Sequence, residues 1–368
     1  MNFDFYMPTK IHFGSECVLQ QGDEFSRWGA KALLVTGRHS AKASGALDDV
    51  VKVLTQKEMQ WKIFDKIEEN PTVESVAEGG AFAREWQPDV VVAIGGGSPL
   101  DAAKAIATLA VNVVAALELF NGKLKNEALP IIAIPLTAGT GSEVTPYSVL
   151  TDASQETKRS FSGDGIFPKV AFLDARYSQS QSRDVTVNTV IDALSHSVEG
   201  YLSNRATAIS DSLALAAIRH FAAAKQALKT DTFSLADRES LLYASMLGGM
   251  VIAQTGTTAV HAMGYSLTYF HQVPHGRANG LLLGEYLRFN EPAVPEKIAN
   301  VLQAAGVANV DEFKALMSEL LRNDETYTAE EMKAFAAQAG KAKNIANTPR
   351  QPNVSELEQI FTASLQVK

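Results

Sequence analysis

Two side chains in the segment VNTVIDALSHSVEG are spaced to share a metal ion. Asp192 and His196 are four residues apart, and residues at this spacing lie on the same face of a helix. A carboxylate oxygen and an imidazole nitrogen that point to one position form half of a site for a first-row divalent metal. His261 and His275, later in the chain, are the natural candidates for the other half.

The seven histidines are unevenly distributed, because His261, His271 and His275 all fall within HAMGYSLTYFHQVPHG. Packing alone is a poor explanation for this concentration. Together with Asp192 and one histidine on its helix, two of these residues would supply one oxygen and three nitrogen ligands. Such a set suits Fe(II) or Zn(II), whereas Ca and Mg prefer oxygen. The default interpretation, a hydrogen-bonded core residue, applies to His12, His39 and His220.

A glycine turn follows the apolar run DVVVAI and precedes PLDAAKAIATLA. It consists of Gly95, Gly96, Gly97 and Ser98. We predict that Ser98 caps the following helix and that Pro99 is its first residue. Glycines let a ligand approach the backbone, and the free N–H groups of a helix start attract a pyrophosphate. The alternative is a turn that only permits tight packing of the strand on the helix.

A second turn of this kind, PLTAGTGSEVT, follows the apolar run IIAI. Open α/β sheets bind ligands at the carboxyl ends of their strands, so two such turns together favour a nucleotide. The first strand ends in Thr36-Gly37-Arg38-His39-Ser40, where no acid is present to hold a ribose 2′-hydroxyl. Arg38, Ser40 and Lys42 are possible donors to a 2′-phosphate, which favours NADP(H) over NAD(H). The alternative is an ordinary solvated turn.

The elements that must position these residues change character along the chain. A chain of 368 residues exceeds what one hydrophobic core usually organises. Short apolar runs such as KALLVTG and PIIAIPL alternate with helical patterns up to Asp174, as in a doubly wound α/β domain with a buried parallel sheet. Later segments are long and helical in period. We therefore predict an α/β domain over 1–180 and an all-α domain over 181–368, with the boundary in the polar run YSQSQSR.

Composition excludes several classes of protein. A net charge of -8 provides no basic field for nucleic acid. The one cysteine, Cys17, excludes an internal disulfide framework and suits a reducing compartment. The N-terminus lacks the pattern of a signal peptide, and we predict a strand or hairpin there. The longest apolar segment, Ala105 to Phe120, is interrupted by polar residues and favours a buried helix over a membrane span. We expect a cytoplasmic protein without a membrane partner.

Several of these motifs together resemble the iron-containing, group III alcohol dehydrogenases. The matching pieces, in family order, are GGGSPLDAAKAIA, PLTAGTGSEVT, DALSHSVEGY, VHAMGYSLTYFHQVPHG and the terminal NTPR. The resemblance covers nearly the whole chain. It implies a dehydroquinate synthase-like architecture: an N-terminal dinucleotide-binding domain, a helical C-terminal domain, and a metal in the cleft between them. It also implies a homodimer.

By motif position, the resemblance assigns roles to individual residues. The metal ligands would be Asp192, His196, His261 and His275. Gly95 to Ser98 would hold the pyrophosphate, with Asn70 near the nucleotide and Thr137, Thr140 and Ser142 along its ribose and phosphates. Asp101, Val149 and Lys158 would lie nearer the nicotinamide, and Asp101 is also a candidate catalytic residue.

Two departures from the family pattern matter. Many NAD-using members have an acid where this chain has Gly37, which strengthens the case for NADP(H). Many members also have a histidine, a proposed proton relay, where this chain has Tyr265, so Tyr265 or His271 is nominated for that role.

The expected reaction is hydride transfer between NADP(H) and a small primary alcohol or aldehyde, with Fe(II), or alternatively Zn(II), as Lewis acid. The alternatives are a glycerol dehydrogenase-like polyol oxidoreductase, a dehydroquinate synthase-like lyase, and a regulator that binds nucleotide and metal without catalysis.

Overall fold

The computed structural model describes residues 2–122, 124–321 and 325–368. Its chain forms two compact units. One comprises Met7–Thr137 and Ser142–Gln181; the other comprises Ser182–Lys368, Ala138–Gly141 and the N-terminal residues through Tyr6. The predicted domains, 1–180 and 181–368, differ from these units chiefly in the two short segments that pack with the helical unit.

The first unit is built on a parallel sheet. Within the described residues its strands are β1 (Lys10–Phe13), β2 (Lys31–Thr36), β3 (Gln60–Phe64), β4 (Val90–Gly95), β5 (Ile131–Pro135), β6 (Tyr147–Asp152), β7 (Thr157–Ser162) and β8 (Val170–Leu173). Six of them form one sheet in the order β1-β8-β5-β4-β2-β3, and its pairings are parallel. The fold class expected for this half is thereby confirmed, and the N-terminal segment contains a strand rather than a hairpin.

Helices cover both faces of this sheet. They are α1 (Cys17–Gln20), α2 (Asp23–Ser26), α3 (Ser40–Ala43), α4 (Ala46–Gln56), α5 (Val73–Trp86) and α6 (Gly97–Val111), with 3-10 turns at Ala116–Asn121, Ser142–Val144, Ala153–Gln155, Asp164–Ile166 and Ala175–Ser178. Successive strand residues enter opposite cores: Leu33 packs in the cluster with α5 and α6, and Leu34 in the cluster with α4. Burial on both faces explains why these strands are continuous apolar runs.

Two local predictions in this unit were wrong. Ser98 does not cap α6 and Pro99 is not its first residue, because Gly96 occupies the cap position and the helix begins at Gly97. The apolar stretch from Ala105 does not continue as one helix, since α6 ends at Val111 and a separate 3-10 turn begins at Ala116. The structure also contains an antiparallel hairpin of β6 and β7 that the apolar pattern did not indicate.

The second unit is helical. Its helices are α7 (Arg183–Leu202), α8 (Ala208–Ala223), α9 (Lys225–Thr230), α10 (Leu235–Thr255), α11 (Ala259–His271), α12 (His275–Asn290), α13 (Pro295–Ala305), α14 (Val310–Leu321), α15 (Ala329–Ala339) and α16 (Val354–Ser364), with a 3-10 turn at Lys343–Asn347. Two short strands, β9 (Thr326–Tyr327) and β10 (Gln366–Val367), pair beside them. The prediction of a helical second half is confirmed apart from this small pair. In the part of the chain that the structure describes, none of the helices has the length and apolarity needed to cross a bilayer.

Candidate metal centre and nucleotide site

Helix α7 carries the first half of the predicted metal site. It is capped by the Ser182 side chain, which accepts a hydrogen bond from Val185 N, and its interior is almost entirely buried. The two side chains face the same way, as the spacing predicts, and His196 Nε2 lies 3.8 Å from Asp192 Oδ1. Asp192 is 3% exposed and His196 is 5% exposed, so neither side chain is an ordinary solvated surface residue.

The second half comes from α11 and α12, which bring His261 and His275 to the same carboxylate. His261 Nε2 lies 3.6 Å and His275 Nε2 lies 3.8 Å from Asp192 Oδ1. One ligand atom from each of these three residues falls within 4.8 Å of the others. Two ligands about 2.1 Å from one ion in a tetrahedral site are about 3.4 Å apart. The donor atoms are therefore close to the spacing that a divalent ion requires.

His196 lies beside this compact group of three rather than within it. Its ring stacks on His261 with the centroids 4.8 Å apart. The predicted fourth ligand is thus near the same carboxylate oxygen, and its assignment as a ligand stays a prediction.

The charges of the cluster favour a cation. Burial alone would raise the pKa of Asp192, but His196, His275 and His261 together outweigh burial and lower it far below the ordinary range. Burial would likewise lower the pKa of His261, whereas the carboxylates of Glu199 and Asp192 raise it to about 10. Burial lowers the pKa of His196, against the opposing effect of Asp192. An ionised carboxylate among several imidazoles is a donor set that suits iron or zinc.

Close approach of α12 to α7 brings the ligands together. A Cβ placed on Gly276 would lie 1.8 Å from the carbonyl oxygen of Asn188 and 2.8 Å from Cβ of Asp192. Only a glycine fits at this crossing point. Gly276 follows His275 directly in the chain, so the crossing point also fixes where that imidazole enters the site.

Sequence reasoning missed two buried side chains that contact the ligands. Asn279 Nδ2 donates to Asp192 Oδ1 at 3.0 Å and lies 3.2 Å from His261 Nε2 and 3.4 Å from His275 Nε2. Glu199 is fully buried and its carboxylate contacts His261 Nδ1. A spacing signal existed for both, since Asn279 lies four residues after His275 and Glu199 lies seven after Asp192.

The two turns predicted to bind a nucleotide lie at the carboxyl edge of the parallel sheet. The chain runs from β2 outward to β3 and then returns to β4 on the other side of β2, which makes the gap between β2 and β4 a topological switch point. Gly95 must lack a side chain because a Cβ there would lie 2.3 Å from Cγ of Pro99. A Cβ on Gly96 would approach Thr137 at 3.3 Å, so the two predicted turns are neighbours.

A polar group forms beside the α6 turn. Asn70 adopts a left-handed conformation with φ of 57°. Its backbone N–H donates to Ser98 Oγ at 3.1 Å, and its side-chain oxygen accepts from Lys158 Nζ at 2.6 Å. Three residues assigned to the nucleotide from separate parts of the chain are therefore held together by direct hydrogen bonds.

Asp101 organises a second polar group. Its Oδ1 accepts from Ser142 Oγ at 2.6 Å and its Oδ2 accepts from Val149 N at 3.0 Å. Burial raises the pKa of Asp101, although Lys104 opposes the shift. Both oxygens are engaged within the protein, so the geometry supports a positioning role. Lys104, which sequence reasoning also missed, is fully buried and donates to Ser142 Oγ at 2.7 Å.

The turn after β2 contains Gly37 and Ser40. A Cβ on Gly37 would lie 3.2 Å from the Ile67 carbonyl oxygen and 4.0 Å from Ser40 Oγ. Arg38, a predicted phosphate donor, forms an ion pair with Glu68 at 3.2 Å. Both side chains are more than half exposed, and pairs of this kind contribute little energy.

The remaining predicted residues, Thr140, Tyr265 and His271, all belong to the helical unit. Thr140 lies in Ala138–Gly141, the segment that packs with the helical unit. The ring of Tyr265 stacks on His275 with centroids 5.4 Å apart and an angle of 15°. His271 instead pairs with Glu331 at 3.1 Å and meets the ring of Tyr327 edge-on. Of the two nominated proton relays, the structure brings Tyr265 to a predicted metal ligand.

Comparison with known proteins decides the family. Residues 8–175 match the family described as iron-containing alcohol dehydrogenase, and residues 186–365 match the C-terminal part of the Fe-containing alcohol dehydrogenase family. The chain belongs to the iron-containing alcohol dehydrogenase family. Relatives in this family include the 1,3-propanediol dehydrogenase of Klebsiella pneumoniae, which is 32% identical over 98% of both chains. The NADPH-dependent butanol dehydrogenase of Clostridium saccharobutylicum is 30% identical over 97% of this chain and 96% of its own.

Solved structures agree with this family assignment. The crystal structure of an iron-containing alcohol dehydrogenase from Thermotoga maritima superposes with a TM-score of 0.92, at 38% identity and with 99% of each chain covered. The prediction of the family, of its two-part fold and of an alcohol dehydrogenase-type oxidoreductase is confirmed. Family membership also implies an iron centre and a nicotinamide nucleotide, and the Asp192, His261 and His275 cluster fits such a metal.

Proposed function

We propose that this protein is a metal-dependent alcohol dehydrogenase and aldehyde reductase that transfers hydride between NADP(H) and a small primary alcohol or aldehyde. The observation that carries the proposal is the group of buried Asp192, buried His261 and partly buried His275, whose donor atoms already lie close to ligand spacing. Fe(II) is the proposed ion, and Zn(II) is compatible with the same donors.

The proposed metal ligands are Asp192, His196, His261 and His275. When bound, the ion supplies Lewis acidity toward a hydroxyl or carbonyl oxygen, and the nicotinamide accepts or donates a hydride. Asp192 supplies the one negative charge of the set, and Asn279 orients its Oδ1 through a hydrogen bond of 3.0 Å. Burial of Asp192, His196 and His261 strengthens the electrostatic interactions among these donors, whereas the side chain of His275 is 25% exposed.

The proposed nucleotide residues lie in the α/β unit, except for Thr140. Gly95, Gly96, Gly97 and Ser98 would bind the pyrophosphate through the free N–H groups at the start of α6. Thr137, Thr140 and Ser142 would contact the ribose and phosphates. Asn70 would bind near the nucleotide, and Lys158, which donates a hydrogen bond to Asn70, would bind nearer the nicotinamide. Asp101 would set the position of Ser142 and Val149 there.

Preference for NADP(H) rests on the turn after β2. Gly37 places no carboxylate beside the 2′ position, and Ser40 and Arg38 provide donors nearby. The weak ion pair of Arg38 with Glu68 would yield to a 2′-phosphate, since both of its side chains are exposed. The name of the Clostridium saccharobutylicum relative, an NADPH-dependent enzyme, is consistent with this preference.

Tyr265 is the proposed proton donor and acceptor. Tyr265 lies on α11, which also carries His261, and its ring is held against the imidazole of His275 at the start of α12. A hydroxyl near the substrate oxygen is suited to pass a proton to or from water. His271, which pairs with Glu331, is not assigned a role in this step.

One anaerobic preparation tests the reaction. Metal content and butanal reduction are measured with NADPH and with NADH, before and after removal of the metal by a chelator. We expect activity that follows metal content and a higher rate with NADPH. Full activity after complete removal of metal would contradict the metal-dependent reaction, and equal rates with both nucleotides would contradict the interpretation of Gly37.

We also propose a homodimer. Strand β1 lies at the edge of the sheet and Phe13 at its end is 40% exposed, so pairing with a second copy would cover apolar surface and an open strand edge. Light scattering on the purified protein tests this assignment, and a monomer at all concentrations would contradict it.

A further inference from the structure

Glu199 is a buried carboxylate that the proposed reaction does not itself use. It lies on α7, three residues after His196 and seven after Asp192, on the face that carries these two side chains. Its exposed fraction is zero. An isolated charge at such a position is costly, so its partners must account for its presence.

One carboxylate oxygen of Glu199 accepts hydrogen bonds at the N-terminus of α11. Oε1 accepts from Thr258 N at 2.8 Å, from Thr258 Oγ1 at 2.7 Å and from His261 N at 3.3 Å. A carboxylate at a helix N-terminus satisfies N–H groups that have no partner within the helix. This oxygen therefore has a structural role, which any test must separate from a role at the metal.

The other carboxylate oxygen of Glu199 contacts His261, a proposed metal ligand. Oε2 contacts Nδ1 of His261, while Nε2 of the same ring points toward Asp192. An ionised carboxylate only accepts hydrogen bonds, so Nδ1 must carry a proton. A metal-binding imidazole needs one ring nitrogen free of a proton, and a proton held on Nδ1 leaves Nε2 for that purpose.

We propose that Glu199 is a positioning residue that fixes the tautomer and orientation of His261, so that Nε2 is presented to the ion. The proposal rests on the proposed function, because it assigns a role at the same metal centre. The Tyr286 hydroxyl lies 2.9 Å from Thr258 Oγ1. The Thr258 proton is directed to Glu199, so Tyr286 must donate to Thr258, and the result is a chain of hydrogen bonds that ends at the ligand.

Substitution of glutamine tests the chemistry with almost no change of shape. The amide of a Glu199→Gln variant has one acceptor. Two backbone N–H groups point to the Oε1 position, and because they can only donate, the amide oxygen must occupy this position as their acceptor. The amide NH2 then faces His261 Nδ1, which must become an acceptor. The ring proton moves to Nε2, where it competes with the metal.

The expected result is a loss of Co(II) and Zn(II) affinity of about 10-fold to 100-fold, measured by competition with a chelator on the full-length protein. The matched control is Glu331→Gln in the same unit. Glu331 also pairs with a histidine, His271, and also caps a helix by accepting from Thr328 N at 2.8 Å. This control should keep the affinity of the wild type. Unchanged affinity in Glu199→Gln, or an equal loss in both variants, would overturn the proposal.

A second measurement does not depend on whether the Glu199→Gln variant folds. In the wild-type protein loaded with Zn(II), nitrogen-15 shifts of labelled histidines distinguish the two tautomers, and His261 is assigned by its absence from a His261→Gln sample. A proton on Nδ1 of His261 is expected, and a proton on neither or only on Nε2 would overturn the proposal. Failure of the wild type to bind any divalent ion would instead contradict the proposed function, so the two failures are distinguishable.

Discussion

Replacement of Gly276 by alanine would test how the two halves of the metal centre are brought together. An added Cβ would lie 1.8 Å from the carbonyl oxygen of Asn188, which is about 1.6 Å closer than an ordinary contact. The obstacle is backbone, which cannot rotate away as a side chain can. Helices α7 and α12 would therefore have to separate, and His275 would move with α12 away from Asp192.

The size of this displacement sets the expected effects. Ligand distances in a metal site are tolerated within about 0.2 Å, so a shift several times larger removes His275 from the site. Loss of a ligand exceeds the loss of an outer hydrogen bond, and we expect a decrease in metal affinity of more than about 100-fold. Overpacking of this kind also lowers the free energy of unfolding by about 1 to 3 kcal/mol, even in the metal-free protein.

A matched control lies on the same helix. A Cβ on Gly284 would lie 2.4 Å from Cγ of Lys314, a side-chain atom rather than backbone. Gly284→Ala should therefore lower the free energy of unfolding by about 1 to 3 kcal/mol through overpacking, but it should bind metal normally because this contact does not involve α7. Chelator competition and urea denaturation of metal-free protein provide both readouts. Wild-type affinity and stability in Gly276→Ala would show that the two helices do not require this close contact.

Three further substitutions test other parts of the molecule. Gly37→Asp should lower the ratio of NADPH to NADH activity by at least about 10-fold, because the new carboxylate repels the 2′-phosphate. The control Gly163→Asp, at a position where an added Cβ meets no atom within 4 Å, should not change this ratio. An unchanged ratio in Gly37→Asp would contradict the coenzyme assignment. Asp192→Asn should lose stoichiometric metal after dialysis, His220→Gln should retain it, and metal retained in both would remove Asp192 from the ligand set. Burial raises the pKa of Glu143 from 4.5 to about 7, so the unfolded chain ionises at lower pH than the native protein and stability falls as pH rises through this window. From about pH 5 to 7.5, the free energy of unfolding of Glu143→Gln, measured by urea denaturation, should therefore rise relative to that of the wild type by up to about 3 kcal/mol. The same pH dependence in both proteins would refute this prediction.

Much of the fold followed from local patterns. The apolar runs that become β2, β4 and β5 are buried on both faces, and a strand in that environment needs apolar residues at every position. The hairpin of β6 and β7 was missed because polar residues, such as the buried Ser148 and the exposed Ser160, interrupt its apolar pattern. The start of α6 was misplaced by two residues, because a cap depends on backbone angles at Gly96 that a serine nearby does not reveal.

The sequence by itself determined that Asp192 and His196 share one helix face, because helical periodicity is a local property. It also supplied the glycine turns and, through several motifs in order, the family. Only the tertiary structure decided which distant residues join them. Contacts of Asp192 with His261 and of Asp101 with Val149 depend on helix packing and chain reversals, and no spacing in the sequence encodes these distances. The contact of Glu199 with His261 also depends on tertiary structure, because it forms only when α11 packs beside α7.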